Sequence, residues 1–493
     1  MRLPPRLHLA LLGLAAALAV AGAYVHFAAF VAGGLAVLAL VAVAAHRWPL
    51  ATLVGGALAT LVDPVIVPRL LPGTLGTGPI GVSEVVLAVA GSVIAVDAAR
   101  AGRLRDALRD PVTPLVALFV ALAVVSAVLN ATPPAVALLG IAMTVDAIAV
   151  YVVVRAVPIG PRAAVLAAGA VVAACLALAL FGIAQVVIHP SLLGFASFTG
   201  DFGEGERITS FLGNPNPVAA VLGIGLPFTL FGSLSLPRPR DRWIARAALF
   251  VLLVALLLTF SRGAWLAIAV GAVIGALLLD WRAIPLLLVG VALAWGTVVV
   301  MPRGLAVAPG SHGTPSEGGA PDLVDTTVDR IGNLEGDDAR ARFTVQGIPI
   351  IMDHLLLGVG PGRYGGAAAT IIPSPVYDEY GARLYGFRTI HNFWQHLLGE
   401  SGALGTAVFL AILAGLLIRF VRAARAAAGS TRVLLAGAAT MLLVTGVHGL
   451  TEMIHEGNLP ALVIWLVLGV ASVFAPVRPL TEASRPRQSL YHY

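Results

Sequence analysis

Three short segments combine residue types suited to chemistry on a phosphorylated substrate. The first, Arg207-Ile-Thr-Ser-Phe-Leu-Gly-Asn214-Pro-Asn216-Pro217, sets an arginine just ahead of an Asn-Pro helix start. Asn caps free amides and Pro suits the first helical position, so a helix is expected to begin near Asn216, with Asn214 and Asn216 at its positive end. Free amides, the helix dipole and a guanidinium would together bind a phosphate. A plainer reading has Arg207 snorkelling to a lipid headgroup while the asparagines only cap. The second segment is Thr259-Phe-Ser261-Arg262-Gly263-Ala-Trp265. An arginine in a turn between two apolar runs is costly unless it is paired or functional, and Gly263 permits close backbone approach beside it. Its plain alternative is an interfacial arginine next to a belt tryptophan.

The third segment is His391-Asn392-Phe-Trp394-Gln395-His396, followed by Glu400 and by Gly402-Ala-Leu-Gly405. Here His391 is expected in the first turn of a helix, with Gln395 one turn below on the same face. A helix N-terminus disfavours imidazolium and favours the neutral ring that a general base requires. His396 falls about 140° around the helix from His391. Gly402 and Gly405 would let a neighbouring helix pack closely. Other candidates carry less. Asp146 sits in the middle of an apolar run and suits a cavity or a partner helix. Glu452, His455 and Glu456 cluster in one loop and read more simply as solvated charge than as a metal or proton site. Asp337-Asp338 lacks further ligands at suitable spacing for a divalent cation. No metal and no cofactor are expected, and the single Cys175, within an apolar run, excludes disulfides inside the chain.

These segments must be held by elements built for lipid. The 493 residues are 59% hydrophobic and 11% charged, with a mean hydropathy of +0.94, which leaves too few charges to cover a soluble globule. All 31 basic residues are arginine, and they scatter among loops instead of forming one basic face, so the +6 charge does not indicate a nucleic-acid partner. Apolar runs lie at roughly 7–24, 27–45, 50–68, 82–98, 114–130, 135–154, 163–188, 215–233, 246–261, 264–280, 283–300, 391–418, 433–450 and 459–475. The expected fold is therefore all-α, a polytopic membrane protein of about fourteen helices. Merging of the pair at 246–280 would leave twelve or thirteen. The N-terminal Met1–Arg6 and the apolar stretch to Ala19-Val20-Ala21 imitate a signal peptide, but a second apolar run starts at once near Phe27, so the pair reads as an uncleaved hairpin.

Arginines concentrate in alternate loops: Arg100, Arg103, Arg105 and Arg109, then Arg238, Arg240, Arg242 and Arg246, and later Arg419, Arg422, Arg425 and Arg432. Basic residues in short loops resist export, which places these loops and both termini in the cytoplasm. Arg69, Arg207 and Arg262 are the exceptions in short outer loops. Five regions follow: N-terminal spans at 1–200, the arginine-motif spans at 201–300, a long outer loop at 301–390, C-terminal spans at 391–475 and a cytoplasmic tail at 476–493. Within the loop, Pro309–Gly319 is rich in Gly, Ser and Pro and reads as flexible, and an acidic stretch runs from Asp322 to Asp338. From Arg340 to Leu357 apolar residues (Phe343, Val345, Ile348, Ile351, Met352, Leu355) recur at near-helical spacing, as in an interfacial amphipathic helix that Gly358-Val-Gly-Pro-Gly362 ends.

Taken together, the segments resemble the O-antigen ligase-like family, which includes O-antigen ligases, O-antigen and exopolysaccharide polymerases and protein O-oligosaccharyltransferases. The resemblance rests on the Arg207–Pro217 segment, Ser261-Arg262-Gly263, His391-Asn392 with Gly402-Ala-Leu-Gly405, and Asp353-His-Leu-Leu-Leu-Gly-Val-Gly-Pro-Gly in the loop, over roughly residues 200–460. It implies a fold similar to GT-C-type membrane glycosyltransferases and SEDS peptidoglycan polymerases. It also implies a polyprenyl-diphosphate-linked glycan donor, and a metal-independent, inverting transfer to an acceptor hydroxyl on the outer face of a bacterial cytoplasmic membrane. On that reading Arg207 and Arg262 bind the donor diphosphate, His391 is the base, and Asn214, Asn216, Asn392 and Gln395 support them. The acceptor is a glycan, a lipid or a protein, and the other partners are membrane lipids. The competing reading is a flippase for the same lipid-linked oligosaccharide. No internal repeat of the kind found in many transporters is visible, and a flippase has no need of a long outer loop ending in a histidine-led helix.

The orientation has a direct test. With Cys175 replaced, a cysteine at Ser316 should react with an impermeant thiol reagent in intact cells and one at Ser484 should not. The reverse pattern would put all three motifs in the cytoplasm.

Overall fold

Proline and apolar length decide where most helices start and how far they run. Pro49, Pro134, Pro161, Pro215 and Pro239 each open a helix, the position at which the missing N–H and fixed φ of proline cost nothing. The computed structural model describes residues 26–61, 82–188, 192, 207–301, 338–366, 368, 376–381, 391–455 and 460–475. The first apolar run at 7–24, most of the long loop up to 337 and the tail from 476 lie outside the described residues.

All regular elements among the described residues are helices: α1 His26–Arg47, α2 Pro49–Ala59, α3 Val82–Arg100, α4 Arg103–Leu108, α5 Val112–Leu129, α6 Pro134–Arg155, α7 Pro161–Val187, α8 Pro215–Ser235, α9 Pro239–Leu258, α10 Arg262–Leu279, α11 Ala283–Val300, α12 Asp338–Asp353, α13 Phe393–Ala426, α14 Gly429–His448 and α15 Ala461–Val473, with short helical turns at Ser210–Leu212 and Val376–Glu379. Eight of these (α5, α6, α7, α8, α10, α11, α13 and α14) are long and apolar enough to cross a membrane, and α2, α15 and the second half of α1 are shorter apolar helices. The chain is thus a multi-pass membrane protein. The run at 246–280 is two separate helices, because the chain leaves helical geometry at Phe260 and Ser261.

Helix α8 is the axis of the bundle. It is buried along almost its whole length and packs against α7, α9, α10, α11 and α14. The most extensive helix pair among the described residues is α10 with α14. Gly271 and Gly275, four residues apart on one face of α10, are so close to α14 that a Cβ at either would run into the Val444 backbone or the Thr440 side chain. Small residues at this spacing let helices approach where apolar burial gives no drive for association.

Helix α13 is broken, and the break explains much of the loop. Gly402 has φ 63° and ψ −172°, a conformation essentially reserved for glycine. Around it the helix exchanges its own hydrogen bonds for those of the loop. The Val359 amide donates to Gly399 O at 2.8 Å and the Gly360 amide to Glu400 O at 3.1 Å, while Ala403 and Leu404 donate to Leu355 O and Leu356 O at 2.7 and 3.2 Å. The expectation that Gly402 admits a neighbouring helix is corrected: it admits the backbone of Leu356 and Leu357, against which any side chain would clash. Gly358, with φ 70°, makes the reciprocal approach to the Glu400 backbone, and its carbonyl accepts from Asn130 Nδ2 at 3.0 Å.

The amphipathic segment is shorter than its apolar pattern suggests. Helix α12 stops at Asp353, and residues 354–357 form a turn. Val345, Ile348 and Met352 are exposed as an interfacial face would be. Ile350 and Ile351 are buried against Val359, Tyr364 and Tyr377, so Ile351 leaves the stripe to which its spacing assigns it.

Gly402→Ala should lower thermal stability in detergent by the cost of a forbidden backbone conformation, about 1–3 kcal/mol, added to a backbone clash. Gly415→Ala, in the same helix with open space around its Cα, should be neutral or stabilising by up to about 1 kcal/mol. Equal melting of the two variants would remove the break at Gly402.

Candidate functional site

At one end of the bundle, four segments distant in sequence meet. The Arg207 segment is held from below by Gln185, buried near the end of α7, whose Oε1 accepts from the Ser210 amide at 2.8 Å and the Thr209 amide at 3.3 Å. Ile208 is buried, and its amide donates to Leu258 O at 3.1 Å. So anchored, Arg207 donates from Nε to Thr259 O at 2.8 Å and from Nη2 to Asn216 Oδ1 at 2.9 Å. One guanidinium thereby joins the start of α8 to the α9–α10 turn.

The start of α8 falls within one residue of the sequence expectation. Asn214 is the cap, its side chain accepting from the Asn216 amide at 3.0 Å, and Pro215 is the first helical residue. This frees the Asn216 side chain, which bridges Arg207 on one side and Glu452 on the other, its Nδ2 donating to Glu452 Oε1 at 2.8 Å.

Arg262 is the first residue of α10, half-buried, after a turn in which Phe260 takes a positive φ of 49° and the Ser261 amide donates to Thr259 Oγ1 at 3.2 Å. Trp265 secures the turn by donating from Nε1 to Leu256 O at 3.0 Å. Gly263 lies directly against Thr451, with no room for a Cβ, which sets the Arg262 turn beside Glu452.

His391 is placed outside helix α13, not in its first turn as expected. Asn392 caps that helix, accepting from the Gln395 amide at 3.0 Å, and the helix begins at Phe393, whose amide donates to Gly449 O at 2.8 Å. His391 is partly exposed, with Nδ1 3.4 Å from Glu452 Oε2. Gln395 serves the loop: its Nε2 donates to Thr344 O at 2.9 Å and to the Tyr364 hydroxyl at 3.2 Å, and burial pushes the Tyr364 phenol up, keeping it a neutral hydrogen-bonding group. His396 is buried with Nε2 3.8 Å from Glu400 Oε2, so its replacement disturbs the core.

The structure therefore brings Arg207, Asn216 and His391 together through Glu452, with Arg262 in the adjoining turn. Asn214 and Asn392 are caps, and Gln395 is a tie to α12. Sequence reasoning missed Gln185 and gave Glu452 the reading of solvated charge. The available signal for Glu452 was an acidic residue at the end of an apolar run, a costly place for an unpaired carboxylate. His455, grouped with it by proximity in sequence, turns the other way. Its ring is fully buried among Phe393, Phe409 and Trp465, at centroid distances of 5.3, 5.9 and 6.4 Å.

The fold and this cluster define a multi-pass membrane protein with a basic and imidazole-bearing polar site at one end of its helices. A family model described as O-antigen ligase matches residues 247–410, from within α9 to the middle of α13, and so includes Arg262 and His391. The match covers about a third of the chain, and over that segment the chain is similar to the O-antigen ligase family. Arg207, Asn216 and Glu452 lie outside the matched segment and join it through the contacts above. No curated protein matches the chain.

The burial of His455 sets a pH dependence of stability. Burial pushes its pKa down to about 3, whereas in the unfolded chain a histidine ionises near 6.5. Between these values the unfolded state binds the extra proton, so stability is full above about pH 6.5 and falls as pH drops toward 3. Replacing His455 with Phe should reduce the loss of melting temperature between about pH 7 and pH 4.5. An unchanged loss would place the titrating group elsewhere.

Proposed function

We propose that the chain transfers a glycan from a polyprenyl diphosphate to an acceptor hydroxyl at the outer face of a bacterial cytoplasmic membrane, without a metal and with inversion. The observation that carries the reading is the meeting of Arg207, from the α7–α8 connection, with His391, from the start of α13, around the shared partners Asn216 and Glu452. A cation and an imidazole at the mouth of a lipid-embedded bundle suit a substrate whose diphosphate stays at headgroup level while its glycan lies in water. Nucleotide sugars are absent outside the membrane, so a transferase there draws on a lipid-activated donor. The arginine asymmetry of the loops supports the outer orientation.

In the proposed reaction the acceptor oxygen attacks the anomeric carbon, and the bond from that carbon to the diphosphate oxygen breaks with its electron pair on the diphosphate. Arg207, Arg262 and the positive dipole ends of α8 and α10 neutralise the charge that develops there. His391 takes the proton of the acceptor hydroxyl. Because Arg207 is held by Thr259 and Asn216 before the donor arrives, its stabilisation costs little rearrangement in the transition state.

His391→Ala should reduce transfer by about 10² to 10⁴, the share of a general base, with lipid-linked donor accumulating on the outer leaflet. Arg262→Lys keeps the charge but loses the planar fork that pairs two phosphate oxygens, so transfer should fall strongly in both Arg262→Lys and Arg262→Ala at unchanged protein level. Wild-type transfer by Arg262→Lys would reduce Arg262 to a point charge at the headgroups. Failure of the lipid-linked donor to reach the outer leaflet in His391→Ala would favour a flippase.

A further inference from the structure

Glu452 lies in the turn after α14, mostly buried, and its two carboxylate oxygens have different tasks. Oε1 accepts from Asn216 Nδ2 at 2.8 Å, and Oε2 is 3.4 Å from His391 Nδ1. The turn that carries it is fixed before any substrate binds. The Thr451 and Glu452 amides donate to His448 O at 2.9 and 3.0 Å, the Thr451 hydroxyl donates to the same carbonyl at 3.2 Å, and Gly263 packs against Thr451.

The chemistry of the groups settles which atoms donate. An ionised carboxylate only accepts hydrogen bonds and a guanidinium only donates them. Asn216, between the two, must turn its carbonyl to Arg207 and its amide to Glu452, as the distances have it. For the same reason the imidazole nitrogen facing Glu452 carries the hydrogen. In the neutral ring this contact selects the Nδ1–H tautomer of His391, with the lone pair on Nε2 directed away from Glu452. A base needs that lone pair, and a carboxylate behind the ring stabilises the imidazolium once the proton has arrived.

We infer that Glu452 is a positioning residue of this site: it holds His391 in the tautomer whose Nε2 takes the acceptor proton, and through Asn216 it ties the imidazole to the donor-binding Arg207. The inference rests on the transfer reaction proposed above. In the reaction the acceptor O–H bond breaks, its proton goes to Nε2, the new glycosidic bond forms, and the electron pair of the old one leaves on the diphosphate. Glu452 stays ionised throughout and touches neither donor nor acceptor.

The test combines a spectroscopic and a functional readout on the full chain. In protein labelled with ¹⁵N-histidine, the His391 signals, identified by their loss in His391→Ala, should report the Nδ1–H tautomer in the wild type and move toward the Nε2–H form in Glu452→Gln. In cells relying on the variant, Glu452→Gln should lower transfer roughly 10- to 100-fold, within the total share of a general base, while binding of undecaprenyl diphosphate to the purified chain is unchanged. Residues acting as one unit lose activity non-additively, so Glu452→Gln combined with His391→Ala should be no slower than His391→Ala alone. An unchanged tautomer in Glu452→Gln, or losses that multiply in the double variant, would overturn the inference. Wild-type transfer by Glu452→Gln beside a dead His391→Ala would overturn the positioning role and leave the base in place. Wild-type transfer by His391→Ala would remove both.

Discussion

Inside a bilayer an unpaired backbone amide or carbonyl has no water to turn to, so every departure from helix must be compensated by protein. The break of α13 at Gly402 depends on that rule. Opening the helix leaves the Gly399 and Glu400 carbonyls and the Ala403 and Leu404 amides in need of partners, and the loop at residues 355–360 supplies them all. The loop is thus built into the helix, not laid over it. Glu400 adds a side-chain tie by accepting from the Tyr364 amide at 3.1 Å, and the Tyr364 hydroxyl donates to Gly347 O at 2.9 Å. Helix α12, the loop and the first turns of α13 become one body, and His391 stands at its edge.

The two ends of the bundle use charge differently. Arg419 lies 26 residues beyond Phe393, in the part of α13 that follows the break at Gly402. There the buried Asp110 accepts from Arg419 Nη1 at 3.1 Å on both oxygens, from the Tyr151 hydroxyl at 3.1 Å and from the Val112 amide at 3.1 Å, with Arg155 at 3.3 Å. Arg419 and Arg155 also cap carbonyls at the end of α15, Ala475 O and Ser472 O. A carboxylate so fully enclosed by donors repays part of its desolvation and clasps α5, α6, α13 and α15. At the other end the charges are only partly enclosed. Arg207 and Glu452 are both bonded to the neutral side chain of Asn216.

The groups proposed to act at the membrane edge face two opposed demands, since the proposed transfer needs them rigid enough to be preorganised and open enough to receive a lipid and a hydrophilic chain. Here rigidity comes from elements behind the site. Gln185 fixes the Arg207 segment from α7, the turn bonded to His448 O fixes Glu452, and Trp394 donates to Gly446 O at 2.7 Å to lock α13 to α14. The side chains in front of these supports then need little reorganisation, which is the condition under which fixed charges act most strongly on a transition state.

Hydropathy, proline positions and Asn-Pro pairs are local signals, readable within a turn of helix or a bilayer thickness. They were enough to assign the multi-pass all-helical class, the boundaries of most helices and the segments bearing Arg207, Arg262 and His391. They left the α8 cap open between Asn214 and Asn216, because either asparagine before a proline satisfies the same local rule. They could not assign Gly402, whose small size suits a helix neighbour or a loop equally well until the partner is known. The role of Asn216 depends on Glu452, 236 residues away in the chain, and no periodicity encodes a pairing at that distance. Glu452 and His455 make the contrast plain. Three residues apart in one turn, they share every local signal, yet one joins the polar site and the other is sealed among aromatic rings, because the turn gives them opposite faces and only the packed bundle decides what each face meets.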